Sequence, residues 1–335
     1  MTQQPLSRII GTGSFLPHRI VENSEVGWPI HREKDEIRRL TGINTRRWAM
    51  PEEQCSEFAE ESARRALDSA QVTGDSIEAL LVSTTSPDTL LPSTACHVQR
   101  RLGLKTIPAF DLAASCSGFL YGLSMADAFI RSGQFSRILV VASEIKSRYL
   151  DAPDGESRLL FGDGAGAAVV TKEKEAGPDG SGRGILGIRL FSDGAYHHLV
   201  QVPAGGSRMP TSSDTLRDQL HGIQLDGGVL FRVAVKRLSG AIEDLLRDCA
   251  VSLSDVKQVI AHQANGRILS AIAKRLGLPE SKMYSIIEEY GNTSSASLPI
   301  AFDHAHRQGV FGAGDLLLLG AIGGGLTWGT SIVRW

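Results

Sequence analysis

Residues 100–104 read Arg-Arg-Leu-Gly-Leu, and residues 274–278 read Lys-Arg-Leu-Gly-Leu. Each pentapeptide closes an amphipathic stretch with basic residues in its last turn and a glycine stop signal, so one helix end is written twice. Two further matches flank it in the same order. Upstream, Ala66–Val72 with Ile77, Leu80 and Leu81 shares its apolar positions with Leu246, Val251, Val256, Val259 and Ile260, each copy reading as helix, turn, strand. Downstream, Arg131, Gly133 and Phe135 precede the apolar run Ile138–Ala142 as Arg307, Gly309 and Phe311 precede Leu316–Leu319. The offset lies between 174 and 179 residues throughout, the signature of an internal duplication.

Ala79–Val82, Ile138–Val141, Gln258–Ala261 and Leu316–Leu319 are short runs rich in Val, Ile and Leu that alternate with helical patterns. Strands buried on both faces read this way. The expectation is a duplicated α/β fold of two pseudo-two-fold related halves, with helices packed between and outside mixed sheets. The Gly/Pro/Asp/Ser cluster at 177–184 places the join, giving an N-terminal half over residues 1–176 and a C-terminal half over 177–335.

Composition removes several function classes. In 335 residues, 35 Lys+Arg nearly balance 37 Asp+Glu and the net charge is −2, which argues against a general nucleic-acid binder. The longest run without a polar side chain, Leu316–Leu326, is well short of the ~20 residues that span a bilayer, so no membrane segment is expected. The polar start, Met1–Arg8, lacks a signal-peptide pattern and points to the cytoplasm. Cys55, Cys96, Cys116 and Cys249 are far apart, without CxxC or zinc-finger spacing, so thiols are expected and no metal site.

Cys116 stands apart from the other three. It follows the expected strand Ala109–Leu112, in Ala113-Ala114-Ser115-Cys116-Ser117-Gly118-Phe119, whose small residues suit a sharp turn into a buried helix. The second half offers Tyr290-Gly291-Asn292-Thr293-Ser294-Ser295-Ala296 at the corresponding point, which pairs Cys116 with Asn292 across the pseudo-two-fold axis. His262-Gln263-Ala264-Asn265 ends another expected strand, and Gly323-Gly324-Gly325 follows a fourth. All four elements are expected just after strands, where open α/β sheets place ligands.

With these segments in place the chain resembles the β-ketoacyl-acyl carrier protein synthase III family of thiolase-fold condensing enzymes. The likeness runs over essentially the whole chain: Gly11–Pro17, Ala113–Phe119, Phe161–Ala168, His262–Asn265, Gly291–Ser294 and Gly323–Gly329. It implies a Cys116, His262, Asn292 catalytic triad, with an oxyanion hole from the backbone of Cys116 and of Gly323, Gly324 and Gly325. The implied reaction is decarboxylative Claisen condensation of an acyl primer thioester with malonyl-acyl carrier protein, initiating fatty acid synthesis through an acyl-Cys116 intermediate. Coenzyme A thioester is then substrate, and no cofactor is called for. The alternative is a relative of secondary metabolism that takes a non-acetyl primer, or transfers an acyl group to oxygen or nitrogen without decarboxylation.

A free thiol is only a few per cent ionised at neutral pH, so the nucleophile needs help. A helix N-terminus is worth ~0.3–1 kcal/mol to a thiolate when exposed and up to ~2 when partly buried. His262 is expected to add more.

The resemblance also implies substrate contacts at Asn265, Arg267, Gly227 and Phe231, and carrier-protein docking at Arg232, Arg267, Lys274 and Arg275. It implies a homodimer in which Leu91 projects into the partner's acyl tunnel. The sequence departs from the family where a Trp and an Arg usually hold the adenine and phosphates of coenzyme A, since those positions are Glu36 and Leu40. A second Arg of that clamp is replaced by Gly155 in Asp154-Gly155-Glu156, leaving Arg158, Trp28 or Trp48 as substitutes. This predicts a primer donor other than short acyl-coenzyme A, either a carrier protein or a longer or unusual acyl group. His197 and His198 receive no role.

Overall fold

All four apolar runs lie inside strands of the computed structural model, which describes residues 7–27, 30–153, 155–173 and 183–335. The first half begins with β1 (Ser7–Phe15), then β2 (Arg19–Glu22), α1 (Asn23–Gly27), α2 (Lys34–Thr41), β3 (Thr45–Trp48) and α3 (Cys55–Ala70). It continues through β4 (Ala79–Ser83), α4 (Thr94–Leu102), β5 (Ala109–Leu112), α5 (Gly118–Arg131), β6 (Arg137–Glu144) and β7 (Gly164–Lys172). The second half starts with β8 (Gly184–Ser192), β9 (Val200–Gln201), α6 (Ser213–Arg217), β10 (Gln224–Leu225), α7 (Gly227–Asp248) and β11 (Val256–Ala261). Next come α8 (Gly266–Leu276), β12 (Met283–Tyr284), α9 (Ile287–Tyr290), α10 (Ser297–Arg307), β13 (Leu316–Gly323) and β14 (Thr327–Arg334).

The duplication is visible in the sheets. One has the order β1-β7-β6-β4-β5 and the other β8-β14-β13-β11-β12, with the same sequence of antiparallel and parallel pairings. The strands divide on either side of residues 174–182, and the expected boundary at 176/177 lies outside the described residues.

Helices α5 and α10 lie between the sheets because they are apolar on more than one face. Phe119, Leu120 and Leu123 of α5 and Leu298, Ile300 and Phe302 of α10 join Val140 of one sheet and Leu317 and Leu319 of the other in one core. Each fully buried Phe or Leu contributes roughly 1.5–3 kcal/mol. Helices α3 and α4 cover the outer face of the first sheet, and α7 and α8 that of the second. Both central helices carry an i,i+4 Asp–Arg pair, Asp127–Arg131 and Asp303–Arg307. Ser7 donates to Asp127, and Thr12 and Ser14 donate to Asp303, so each helix is tied to β1. The glycine stops behave as read, with Gly103, Gly277, Gly133 and Gly309 at φ 65–76° after their helices.

The internal equivalence of Cys116 and Asn292 is corrected. A 3-10 turn at Ser115–Ser117 leads into α5 and a matching one at Ser294–Ala296 leads into α10. Their first residues share a left-handed backbone, so Cys116 corresponds to Ser295, three residues beyond the expected partner. Asn292 also does not directly follow a strand, because α9 intervenes after β12.

Candidate active site

Three elements converge on one cavity of about 600 Å³ that Cys116, His262 and Asn292 all line. Cys116 is held in the turn before α5, close to the helix N-terminus. Gly323 packs directly against it, such that a Cβ there would sit 2.5 Å from the Cys116 backbone nitrogen. Gly118, which opens α5, has no room for a side chain either, because Ser83 Oγ would lie 1.9 Å from its Cβ. The small residues around Cys116 thus permit backbone to approach backbone from both halves.

The surroundings of Cys116 differ from expectation. The hydrogen-bond partners of Sγ are the hydroxyls of Ser294 at 3.5 Å and Ser115 at 3.9 Å, and among the described residues none is His262. Burial raises the thiol above its ordinary value; the Ser294 bond and the Lys146 charge pull it down, while Glu144 pushes it up.

His262 is itself buried, which pulls it down to about 3, so the imidazole is neutral. Its Nδ1 lies 2.5 Å from Ser297 Oγ, which already accepts the Gln263 N–H at 3.2 Å. Among the described residues Nδ1 is the acceptor within reach of the Ser297 proton, and donation to it leaves Nε2 to carry the ring's N–H. Asn292 is oriented as firmly. Its Oδ1 accepts the Ser294 N–H at 2.9 Å and its Nδ2 donates to the Ala264 carbonyl at 3.2 Å, with one N–H to spare. The Asn292 backbone pairs with Leu160 and Gly162, which links the two halves at the site. The arrangement brings a buried sulfur and two side chains that each carry a spare N–H to one mostly apolar cavity.

The glycine run is divided in its surroundings. Gly323 ends β13, the Gly324 N–H donates to Ser115 Oγ at 3.2 Å, and Gly325 lies outside the cavity lining. Asn265, Arg267, Gly227, Phe231 and Arg232 all line the cavity, Arg267 resting over the Phe231 ring. Asn265 caps α8 by accepting the Arg267 N–H. Lys274 and Arg275 are exposed at the other end of α8, ~10–12 Å along its axis from Arg267. Leu91 does not line this chain's cavity, and with Leu90 it is 87% and 92% exposed on the loop before α4.

At the mouth, Glu36 and Leu40 are joined by two residues that motif reading missed, Arg32 and Glu156. Arg32 pairs with Glu36 at 2.5 Å and lies 3.8 Å from Glu156. Arg158 pairs instead with Asp151, and Trp48 is buried with its ring N–H on the Phe161 carbonyl, so neither reaches the mouth. Trp28 and Asp154 lie outside the described residues. Ser294, Ser297, Glu144 and Lys146 were missed as well; the Ser-rich run 293–297 beside Asn292 was the available signal. His197 and His198 stack edge to face on a 3-10 turn and do not line the cavity. No group of three or more His, Cys, Asp or Glu that could hold a metal occurs among the described residues.

Comparison with known proteins decides the family. The family model described as 3-oxoacyl-[acyl-carrier-protein] synthase III matches residues 110–197, and the model of its C-terminal part matches 246–335. The β-ketoacyl-[acyl-carrier-protein] synthase III of Caldanaerobacter subterraneus subsp. tengcongensis is 41% identical over 335 residues, covering 100% of this chain and 99% of that protein. The chain belongs to the 3-oxoacyl-[acyl-carrier-protein] synthase III family. The synthase III of Alkalilimnicola ehrlichii is 42% identical over 98% of this chain and 99% of its own. Among solved structures, the synthase III of Aquifex aeolicus superposes with a TM-score of 0.89 at 37% identity, covering 98% of this chain and 100% of that one. A priming β-ketosynthase of the R1128 polyketide pathway gives 0.89 at 32%, covering 100% and 97%. The fold is accordingly the duplicated thiolase-type α/β fold of synthase III, and the chain is a condensing enzyme.

Proposed function

We propose that this enzyme condenses an acyl primer from acyl-coenzyme A with malonyl-acyl carrier protein, the step that initiates fatty acid synthesis, and that Cys116, His262 and Asn292 carry it. The observation behind this reading is the convergence of a buried cysteine with two fixed N–H donors in one cavity. Cys116 Sγ attacks the primer carbonyl, the donor's C–S bond breaks, and the thiol proton leaves with the donor sulfur. The backbone N–H groups of Cys116, Gly323 and Gly324 hold the oxyanion, Gly325 lying outside the cavity lining; Ser115 Oγ yields the Gly324 N–H as the substrate oxygen arrives.

The malonyl thioester follows. His262 Nε2–H and Asn292 Nδ2–H donate to its carbonyl, CO2 departs, and the enolate carbon attacks the acyl-Cys116 carbonyl. The new C–C bond forms as the C–Sγ bond breaks, releasing the β-ketoacyl-acyl carrier protein and the thiolate. A neutral His262 suits this role, because only the protonated Nε2 has to face the developing charge.

Arg267, Arg232, Lys274 and Arg275 receive the acidic carrier, with Asn265, Gly227 and Phe231 along the path of its thioester arm. Two copies associate with the exposed Leu91 of each reaching the other, and the enzyme works in the cytoplasm as an acyltransferase without metal or cofactor. A second reading, a specialised synthase with another primer donor, is favoured by the mouth, where Arg32 is already occupied by Glu36 and Glu156.

The test is intact-protein mass after incubation with acyl-coenzyme A and acyl-carrier donors, with Cys116→Ala as control, followed by malonyl-acyl carrier protein and CO2 detection. Acetylation from acetyl-coenzyme A and subsequent CO2 release is the expected result. Acylation by other donors alone selects the specialised synthase, and acyl transfer persisting in Cys116→Ala overturns the assignment.

A further inference from the structure

Outside the cavity lining, and joined to Cys116 through Ser294, lies a buried ionic cluster that the condensation mechanism leaves unused. Glu144, the last residue of β6, is fully buried. Its carboxylate accepts from Ser86 Oγ at 2.6 Å, Ser295 Oγ at 2.9 Å, Ser294 Oγ at 3.1 Å and the Thr85 N–H at 3.2 Å. Lys146 Nζ lies 3.0 Å from it and also donates to Thr85 Oγ1 at 2.5 Å. Ser294 is the member of this cluster that also reaches the nucleophile, at 3.5 Å from Sγ.

We propose that the Ser294 hydroxyl is a two-position hydrogen-bond switch for Cys116, donating to Glu144 while the cysteine is a thiol and to the sulfur once it is a thiolate. The inference rests on the reading of Cys116 as the nucleophile and deepens it by naming a further catalytic residue that touches the reacting atom. A hydroxyl has one proton and two lone pairs, so it serves only one of these acceptors at a time. With the thiol present, the carboxylate is the stronger acceptor and Ser294 accepts the S–H. When the sulfur ionises, its charge competes for the same proton, and Glu144 can release it because its other four partners remain.

Only the O–H bond has to rotate. The Ser294 backbone is fixed, with φ 53° and its N–H on Asn292 Oδ1, so one residue supports both the nucleophile and the Asn292 donor. The reaction stays balanced, since Ser294 gains and loses nothing and the thiol proton leaves with the donor sulfur as the Sγ–C bond forms.

The titratable and charged groups around Sγ come from few elements. Glu144 and Lys146 arrive from β6 and the turn after it, and the neutral His262, just after β11, lines the same cavity. The β13–β14 hairpin brings glycines. Burial pushes the Glu144 carboxyl up, but the Lys146 charge and the bonds from Ser86, Lys146 and Ser295 outweigh it and hold the group below its usual range. Glu144 is therefore an ionised acceptor, the state the switch requires.

The experiment follows alkylation of Cys116 by iodoacetamide from pH 6 to 10, read by peptide mapping so that the exposed Cys96 is not counted. Ser294→Ala and Ser294→Gly are both made; glycine suits the left-handed backbone and removes the hydroxyl without strain. Loss of the hydroxyl raises the alkylation midpoint by about one pH unit, roughly a tenfold slower reaction at pH 7. Glu144→Gln shifts the midpoint the opposite way by a similar amount, because it removes a negative charge and frees the Ser294 proton. Should Glu144→Gln not fold, Lys146→Gln supplies the converse, an upward shift from an unbalanced Glu144. A wild-type profile in Ser294→Gly, or an upward shift in Glu144→Gln, overturns the switch. Alkylation needs neither donor nor malonyl thioester, so failure of the condensation reading would show separately, as missing acyl adduct or CO2.

Discussion

Ser115 and Ser294, 179 residues apart, adopt the same left-handed backbone at φ 48° and 53°, and their two 3-10 turns pack against each other at the centre of the site. A left-handed conformation is uncommon for a residue with a side chain, so its recurrence at both helix entrances is a direct mark of the duplication. The halves have since diverged by function. The residue after Ser115 is Cys116, whereas Ser294 turns its own hydroxyl toward that sulfur and Ser295 turns toward Glu144.

Gly323→Ala tests the contact between β13 and Cys116. The added methyl would fall 2.5 Å from the Cys116 nitrogen and 3.0 Å from its Cβ, which forces the hairpin away from the N–H proposed to face the oxyanion. Loss of such a donor costs ~100–1,000-fold in rate, while overpacking costs ~1–3 kcal/mol of stability. The acylation rate is expected to collapse with only a modest fall in melting temperature. Acylation near the wild-type rate would exclude Gly323 from the oxyanion hole.

His262 gives a pH prediction of definite sign. Its folded-state value of about 3 lies below the unfolded 6.5, so its contribution to stability is complete above pH 6.5 and is lost as pH falls from 6.5 toward 3. Urea midpoints compared at pH 7.5 and pH 5 should fall more for wild type than for His262→Gln. For the same reason CO2 release should show no ionisation near 6.5 that His262→Gln abolishes.

Ser297→Ala isolates the tautomer. Without the hydroxyl on Nδ1 the ring is free to place its proton on either nitrogen, and CO2 release should fall about tenfold, the equivalent of one hydrogen bond of ~1.4 kcal/mol. Self-acylation at Cys116 should be spared. Equal loss of both steps, measured by adduct mass and CO2, would contradict the division of roles between the cysteine and the His–Asn pair.

The mouth is tested by Glu36→Gln. A half-exposed ion pair such as this is worth ~0–1 kcal/mol, so freeing Arg32 from Glu36 should lower KM for acyl-coenzyme A by at most about fivefold at low ionic strength. The gain should vanish in high salt. A KM that rises in Glu36→Gln would mean that Glu36 favours the donor.

Much of this molecule was written locally. Helix ends, strand runs and the duplication depend on residue periodicity and glycine stops within a few positions, and those at Gly103, Gly277, Gly133 and Gly309 stand where the sequence put them. The small residues around Cys116 and the His262–Asn265 element were equally legible, because strand ends announce themselves by a break in apolar character. What escaped was relational. The equivalence of Cys116 with Ser295 rather than Asn292 depends on the short helix α9 and on a three-residue difference that no local pattern records. The neutral state of His262, the partner of the Ser297 hydroxyl, and the placing of the Glu144–Lys146 pair near the sulfur arise from burial among segments 35 to 178 residues apart in the chain. Dielectric and hydrogen-bond direction are properties of the packed surroundings, so sequence alone determined which chemical groups the site would hold, and the tertiary structure decided their charge, orientation and partners.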